Sequence, residues 1–213
     1  MIDNITLIAQ SAIRIKDKNN TIIYFDPFKI DNSYKNDADY IFITHPHYDH
    51  FSEDDILKVR KQNTKIIAPI ELKAKIKDLG FTDEYILQVI PNNNYKIDNI
   101  DFCTVPAYNL NKDFHKKEYG WVGYLVNIDK NIVYVAGDTD NIEEIRNIKC
   151  DIACVPIGGK YTMTCEEAVD LIKEIKPKTA IPIHYKTVVG TVEYAYKFKE
   201  LLEDITNVEI LMK

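Results

Sequence analysis

Residues 44–51 read THPHYDHF and place His45, His47, Asp49 and His50 within six positions. The whole chain has five histidines, so three of them stand in this one stretch. Neutral imidazoles and carboxylates are the usual ligands of zinc and similar divalent ions. Side chains two apart on an extended chain point the same way. Pro46 keeps His45 out of helical backbone, so His45 and His47 converge on one side. Asp49 and His50 follow as the chain turns toward a helix at Ser52, and they point to a second position close by. The pattern H-x-H-x-D-H therefore supplies ligands for two neighbouring metal ions from one loop. The bland alternative, a surface loop with scattered histidines, does not account for so dense a cluster.

Two further segments offer ligands at strand ends. VYVAGDTD sets Asp138 after a strand and Gly137, where backbone can approach closely. AIPIHYK sets His184 at the end of another strand. Alone, such an aspartate is more often a turn residue and such a histidine more often a satisfied core residue. Ligands delivered from several strand ends make a rigid, convergent site. PIGGKYTMT offers backbone N–H groups beside two glycines, then Lys160 and Tyr161, ahead of a helix N-terminus at Thr164. That arrangement suits a phosphate or carboxylate, and reads equally as a glycine turn feeding a capped helix. Tyr48, Tyr108 and Trp121 are candidates to line a pocket, but with 14 tyrosines most are packing.

These residues need strands to carry them. ITLIA, SAIRI, TIIYF and the continuously apolar YIFIT read as strands, the last buried on both faces. SEDDILKVRKQ predicts a helix with Ser52 as N-cap, and IELKAKIKDL a helix ended by Gly80. Residues 85–135 are rich in strands: YILQVI, NIDFCTV, WVGYLVNI and NIVYVA. CDIACVPI and KTAIPIH are strands alternating with helices over TCEEAVDLIKEI and TVEYAYKFKELLED, and NVEIL closes the chain as a strand. Thr164 and Glu167 stand at capping-box spacing. Such a mixture fits two packed sheets with helices outside, in one domain over 1–213. A (β/α)8 barrel wants about 250 residues and regular alternation, which the strand-rich middle breaks.

Composition sets the outer bounds. The 213 residues are 46% hydrophobic and 28% charged, an ordinary globular balance. A net charge of −6 with no basic block gives nucleic acid and anionic membrane no purchase. MIDNITLIAQSAIRIK lacks the basic start and long apolar run of a signal peptide. The four cysteines lack C-x-x-C spacing and read as reduced thiols. The expectation is a cytoplasmic protein with a small-molecule substrate, no nucleic-acid partner and no membrane, open to homo-oligomerisation.

FDP at Asp26, THPHYDH, AGDTD and IPIHY, in this order and spacing, resemble the metallo-β-lactamase superfamily of metal-dependent hydrolases across nearly the whole chain. Within it the chain looks most similar to small single-domain proteins related to ascorbate-phosphate lactonase and to Zn-dependent hydrolases. The resemblance implies an α/β fold, an αβ/βα four-layer sandwich of two mixed β-sheets with helices on the outer faces. It implies that His45 and His47 serve a first metal, that Asp49, His50 and His184 serve a second, and that Asp138 bridges. Zinc is the expected ion, one or two per chain, with Mn2+, Fe2+ and Ni2+ as further candidates. A shared water turned into hydroxide would attack an ester, lactone or phosphodiester, with Asp49 both ligating and orienting the nucleophile. Asp26 would hold a ligand by hydrogen bond, unless FDP is simply a turn. Two readings stand beside hydrolysis: a non-catalytic or weakly active metal-binding member of the same fold, and a nuclease of the superfamily.

One departure stands out. The family pattern wants a third histidine after IDFCTVPA, and the segment continues with Tyr108 and Asn109. The fifth histidine, His115, lies six residues further on in NLNKDFHKKEYG, a polar segment expected to be a loop able to fold over the metals as a lid. The first site is therefore completed by the Asn109 amide, completed by His115, or left poorly occupied.

Overall fold

The computed structural model describes residues 2–212, which divide between Ile90 and Pro91 into two compact units, each built on one mixed sheet. The first unit carries β1 (Ile5–Ala9), β2 (Ala12–Lys16), β3 (Ile22–Phe25), β4 (Ala38–Phe42), β5 (Arg60–Pro69) and β6 (Ile86–Val89), in that spatial order. Strands β1 to β3 pair antiparallel, and β3 to β6 pair parallel. Helices α1 (Glu53–Val59) and α2 (Lys73–Asp78) connect the parallel strands. They bury Ile56, Val59 and Ile76 with Tyr24, Ile41, Ile43 and Ile66 in one apolar cluster. On the other face of these strands Phe25 stacks on Phe42 with ring centroids 5.0 Å apart. Both faces of β4 are thus apolar, which is why YIFIT shows no alternation.

The second unit carries β7 (Asn94–Ile97), β8 (Ile100–Pro106), β9 (Val122–Ile128), β10 (Asn131–Val135), β11 (Ile152–Pro156), β12 (Thr179–Ile183) and β13 (Asn207–Val208). They lie in spatial order β13-β12-β11-β10-β9-β8-β7. Strands β7 to β10 pair antiparallel, and β10 to β13 parallel. Helix α3 (Cys165–Ile175) packs on β11 and on α4 (Val192–Leu201), burying Ala168, Val169, Leu171, Ile172 and Ile175. Its start is a full capping box: Thr164 Oγ1 accepts from the Glu167 N–H, and Glu167 Oε2 accepts from the Thr164 N–H. Among the described residues no helix is long and apolar enough to cross a membrane, and all four cysteines are free thiols.

Three expectations are corrected. The helix from Ser52 stops at Val59, and Arg60 opens β5. The Arg60 guanidinium donates to the carbonyls of Leu79 and Gly80 and lies 3.9 Å from the Phe81 ring centroid, contacts that outweigh the helical preference of Arg-Lys-Gln. Ser52 makes no side-chain cap: its hydroxyl donates to Asp55, whose carboxylate also accepts the N–H groups of Lys29 and Ile30. NVEIL shortens to the two residues of β13.

In both units most of the polar, chemistry-bearing residues follow the carboxyl ends of parallel strands, the exception being the segment after the antiparallel β8 that carries Asn109 and His115. Asp26 follows β3, residues 44–50 follow β4, Asp138 follows β10, Gly158–Tyr161 follow β11, and His184 follows β12. In open mixed sheets these ends are where side chains can converge without interrupting the ladders.

Candidate metal centre

In the first unit the loop after β4 turns sharply, with the N–H groups of His50 and Phe51 both donating to the His47 carbonyl. The turn gathers three imidazoles. His45 Nε2 lies 3.0 Å from His47 Nδ1, and the rings of His45 and His50 have centroids 4.0 Å apart. Two nitrogens each about 2.1 Å from one ion stand roughly 3.0–3.4 Å apart, so the first distance is that of two ligand atoms on one metal. His50 Nε2 lies 3.7 Å from Asp49 Oδ2.

Behind them Asp26 sets the tautomers. It is fully buried, at φ 46, and accepts from the Thr44 N–H (2.8 Å), the Thr44 hydroxyl (2.7 Å) and His50 Nδ1–H (2.7 Å). The Thr44 hydroxyl has one proton, which goes to Asp26, so its 3.0 Å contact with His45 Nδ1 has the histidine as donor. Both histidines thus carry their proton on Nδ1 and turn the Nε2 lone pair outward, as a metal-ligating imidazole requires. Burial pushes the Asp26 carboxyl above its ordinary range, against the downward pull of His50 and Thr44. Asp26 therefore does more than make a turn, and Thr44, which residue type alone did not single out, is its partner.

The second unit gathers a set of its own. Asp138 Oδ2 lies 3.2 Å from His115 Nε2 and 3.1 Å from His184 Nε2, and all three residues are buried. Their positions come from lacing between the segment after β8 and the segment after β10. The Tyr108 N–H donates to Thr139 Oγ1, the Asp140 N–H to the Tyr108 carbonyl, and the Leu110 N–H to Asp140 Oδ2, with Lys112 paired to Asp140. Thr139 and Asp140 are structural partners that the sequence motif carries silently.

His115 is 1% exposed, so the surface-histidine alternative is excluded. Its ring stands edge-on to Trp121, and its main chain closes a turn through the Asn109 N–H. Asn109 lies behind it: Nδ2 is 3.2 Å from His115 Nδ1 and donates to the Tyr161 carbonyl at 2.7 Å. Among the two candidates for the missing ligand, His115 is the one beside Asp138, and Asn109 buttresses it.

The remaining candidates separate. Tyr161 joins Asn109 through its carbonyl, its ring meets Phe114 edge-on at 4.8 Å, and Lys160 Nζ lies 5.0 Å from its centroid. Tyr108 lines a polar cleft with Lys117 and Arg146, and its hydroxyl donates to Glu144 at 3.0 Å.

Three of these residues also carry backbone strain. Asp26, His115 and His184 adopt left-handed φ of 46, 51 and 56, which costs a non-glycine residue roughly 1–2 kcal/mol. Gly158 passes so close to His184 that a Cβ there would meet the His184 carbonyl oxygen at 2.5 Å.

Residues 4–184 match the model of the beta-lactamase superfamily domain. The chain belongs to the beta-lactamase superfamily. A relative from Thermococcus kodakarensis, a UPF0173 metal-dependent hydrolase, is 31% identical over 82% of this chain and 79% of its own length. A solved structure from Parabacteroides distasonis, named as a metal-dependent hydrolase, is 30% identical, spans 98% of this chain and 93% of that one, and has a TM-score of 0.82. A metallo hydrolase of Ignicoccus hospitalis shares the fold at 23% identity and a TM-score of 0.77, over 97% of this chain and 93% of that one. The fold is α/β with two mixed sheets, one in each unit.

Proposed function

We infer that this metal-dependent hydrolase of the beta-lactamase superfamily cleaves a small-molecule ester, lactone or phosphodiester, with metal-ligating donors present in each of its two units. The observation that carries this reading is the Asp26–Thr44 network, which gives His45 and His50 the Nδ1–H tautomer that metal ligation needs. In each unit the donor chemistry fits a divalent ion: imidazoles from His45, His47 and His50 with the Asp49 carboxylate in the first, and imidazoles from His115 and His184 with the Asp138 carboxylate in the second. Zinc suits such a nitrogen-rich set, in one or two equivalents. When bound, the ion supplies a Lewis acid and lowers the pKa of a water to near neutrality.

The residues supply the rest. Asp26 and Thr44 hold two rings in register, and Asn109 holds a third. Asp49 orients the attacking water by accepting its hydrogen bond. Phe114 stands beside His115, Tyr161 meets Phe114 edge-on and the Lys160 ammonium lies over Tyr161, a run of side chains that suits a substrate with an apolar part and an anionic group.

Elemental analysis of protein purified without chelator, followed by turnover of lactones, esters, thioesters and phosphodiesters, tests the reading. Metal at one or two equivalents is expected, together with a kcat that Asp49→Asn lowers far more than it raises KM. A metal-free protein, or an unchanged kcat in that variant, would sink it.

A further inference from the structure

The β1–β2 hairpin closes through Gln10 and Ser11, with Ala9 paired to Ala12. A two-residue hairpin turn puts backbone into the left-handed region and so favours Gly, Asn or Asp. Gln10 stands there at φ 51. It is 0% exposed, and Ser11 is 1% exposed. A long polar side chain in a buried, strained turn is disfavoured both by its backbone and by its desolvation. The Ser11 hydroxyl is buried too, and makes no hydrogen bond among the described residues. The turn thus carries inward two polar groups that hairpin formation does not require.

The Gln10 amide reaches Asp49, with Nε2 donating to Oδ2 at 3.2 Å across 39 residues of sequence. The same oxygen lies 3.7 Å from His50 Nε2. The donor therefore grips the carboxylate on the side that faces the histidine cluster. Its neutrality matters. A lysine or arginine here would take up the charge that makes Asp49 a ligand and hydrogen-bond acceptor, and a glutamate would repel it. An amide fixes the direction of the carboxylate and leaves the charge in place.

We propose that Gln10 is a positioning residue for the hydrolytic reaction, its amide holding the Asp49 carboxylate in the orientation that aligns the attacking water. The proposal rests on the role given to Asp49 above. Gln10→Gly and Gln10→Asn test it, since both residues accept the left-handed turn and neither side chain reaches Asp49. Four quantities are measured: kcat, KM, the melting temperature of the metal-free protein, and the visible absorption spectrum of the Co2+-loaded protein.

The expected result is a kcat lowered ~10–100-fold with KM within about twofold of the parent. The metal-free protein should melt no lower, and the Co2+ spectrum should change. Should either variant fail to fold, the other carries the comparison. A lowered melting temperature with kcat per folded molecule and Co2+ spectrum unchanged would make Gln10 a structural residue and overturn the proposal. If the parent protein turns over no substrate, the hydrolytic reading fails by itself. The Co2+ spectrum then decides Gln10: a changed spectrum sustains its hold on Asp49, and an unchanged one overturns it.

Discussion

Gly158→Ala should disable His184 through the backbone alone. A Cβ at residue 158 would stand 2.5 Å from the His184 carbonyl oxygen, 2.6 Å from Val189 Cγ2 and 3.1 Å from His184 Nδ1. Side-chain Cβ atoms keep beyond 3.0 Å of such neighbours, so the carbonyl must retreat by about half an ångström. Val189 can rotate away, but the His184 carbonyl cannot. It belongs to a residue held at φ 56, directly after β12, where the Ile157 N–H bonds the Ile183 carbonyl. Metal–ligand distances tolerate about 0.2 Å, so a shift more than twice that size misplaces the imidazole. Metal affinity should fall tenfold or more, about 1.4 kcal/mol. The metal-free protein should lose a further ~1–3 kcal/mol from overpacking. Calorimetric titration with Zn2+ reads the first quantity, and urea unfolding of the metal-free protein the second. A variant that binds Zn2+ with unchanged affinity and stoichiometry would refute the reasoning.

Asp26→Asn puts an amide N–H where His50 Nδ1–H or a Thr44 donor now points, so metal affinity should drop ~10–100-fold in competition with a chelator, and unchanged affinity would remove Asp26 from its supporting role. His115→Ala should lose an equivalent of metal, whereas Asn109→Ala should only weaken it; the reverse result would make the amide the ligand. Burial, helped by the Asp151 charge, pushes the Cys150 thiol up to about 12, and burial pushes Cys165 up to about 11. Alkylation needs the thiolate, so at pH 8 iodoacetamide should label both far more slowly in the native than in the unfolded protein, with rates climbing as pH rises. Equal rates in the two states would refute that.

The strands and the capped helix were legible because their causes are local. Thr164 and Glu167 cap α3 from three residues apart, and the apolar runs of β4 and β11 announce strands buried on both faces. The end of α1 was not legible. Arg60 leaves the helix for contacts with Leu79, Gly80 and Phe81, some twenty residues away, which no local propensity contains.

The candidate centre divides in the same way. H-x-H-x-D-H, Asp138 and His184 could be picked out by residue type, because few side chains can ligate a metal and strand ends are where they converge. Type could not choose between Asn109 and His115, since both are plausible donors on a polar segment. The fold put one imidazole beside Asp138 and left the amide behind it. Type also gave no reason to notice Gln10 or Thr44, and it could not show that the Tyr108 hydroxyl is engaged by Glu144. The sequence by itself determined which atoms were available to hold a metal, because that is a property of each side chain's chemistry. Only the tertiary structure decided which of them face inward with the right tautomer, because hydrogen bonds between Gln10 and Asp49, Asp26 and His50, and Tyr108 and Thr139 span 39, 24 and 31 residues and exist only once the sheets have formed.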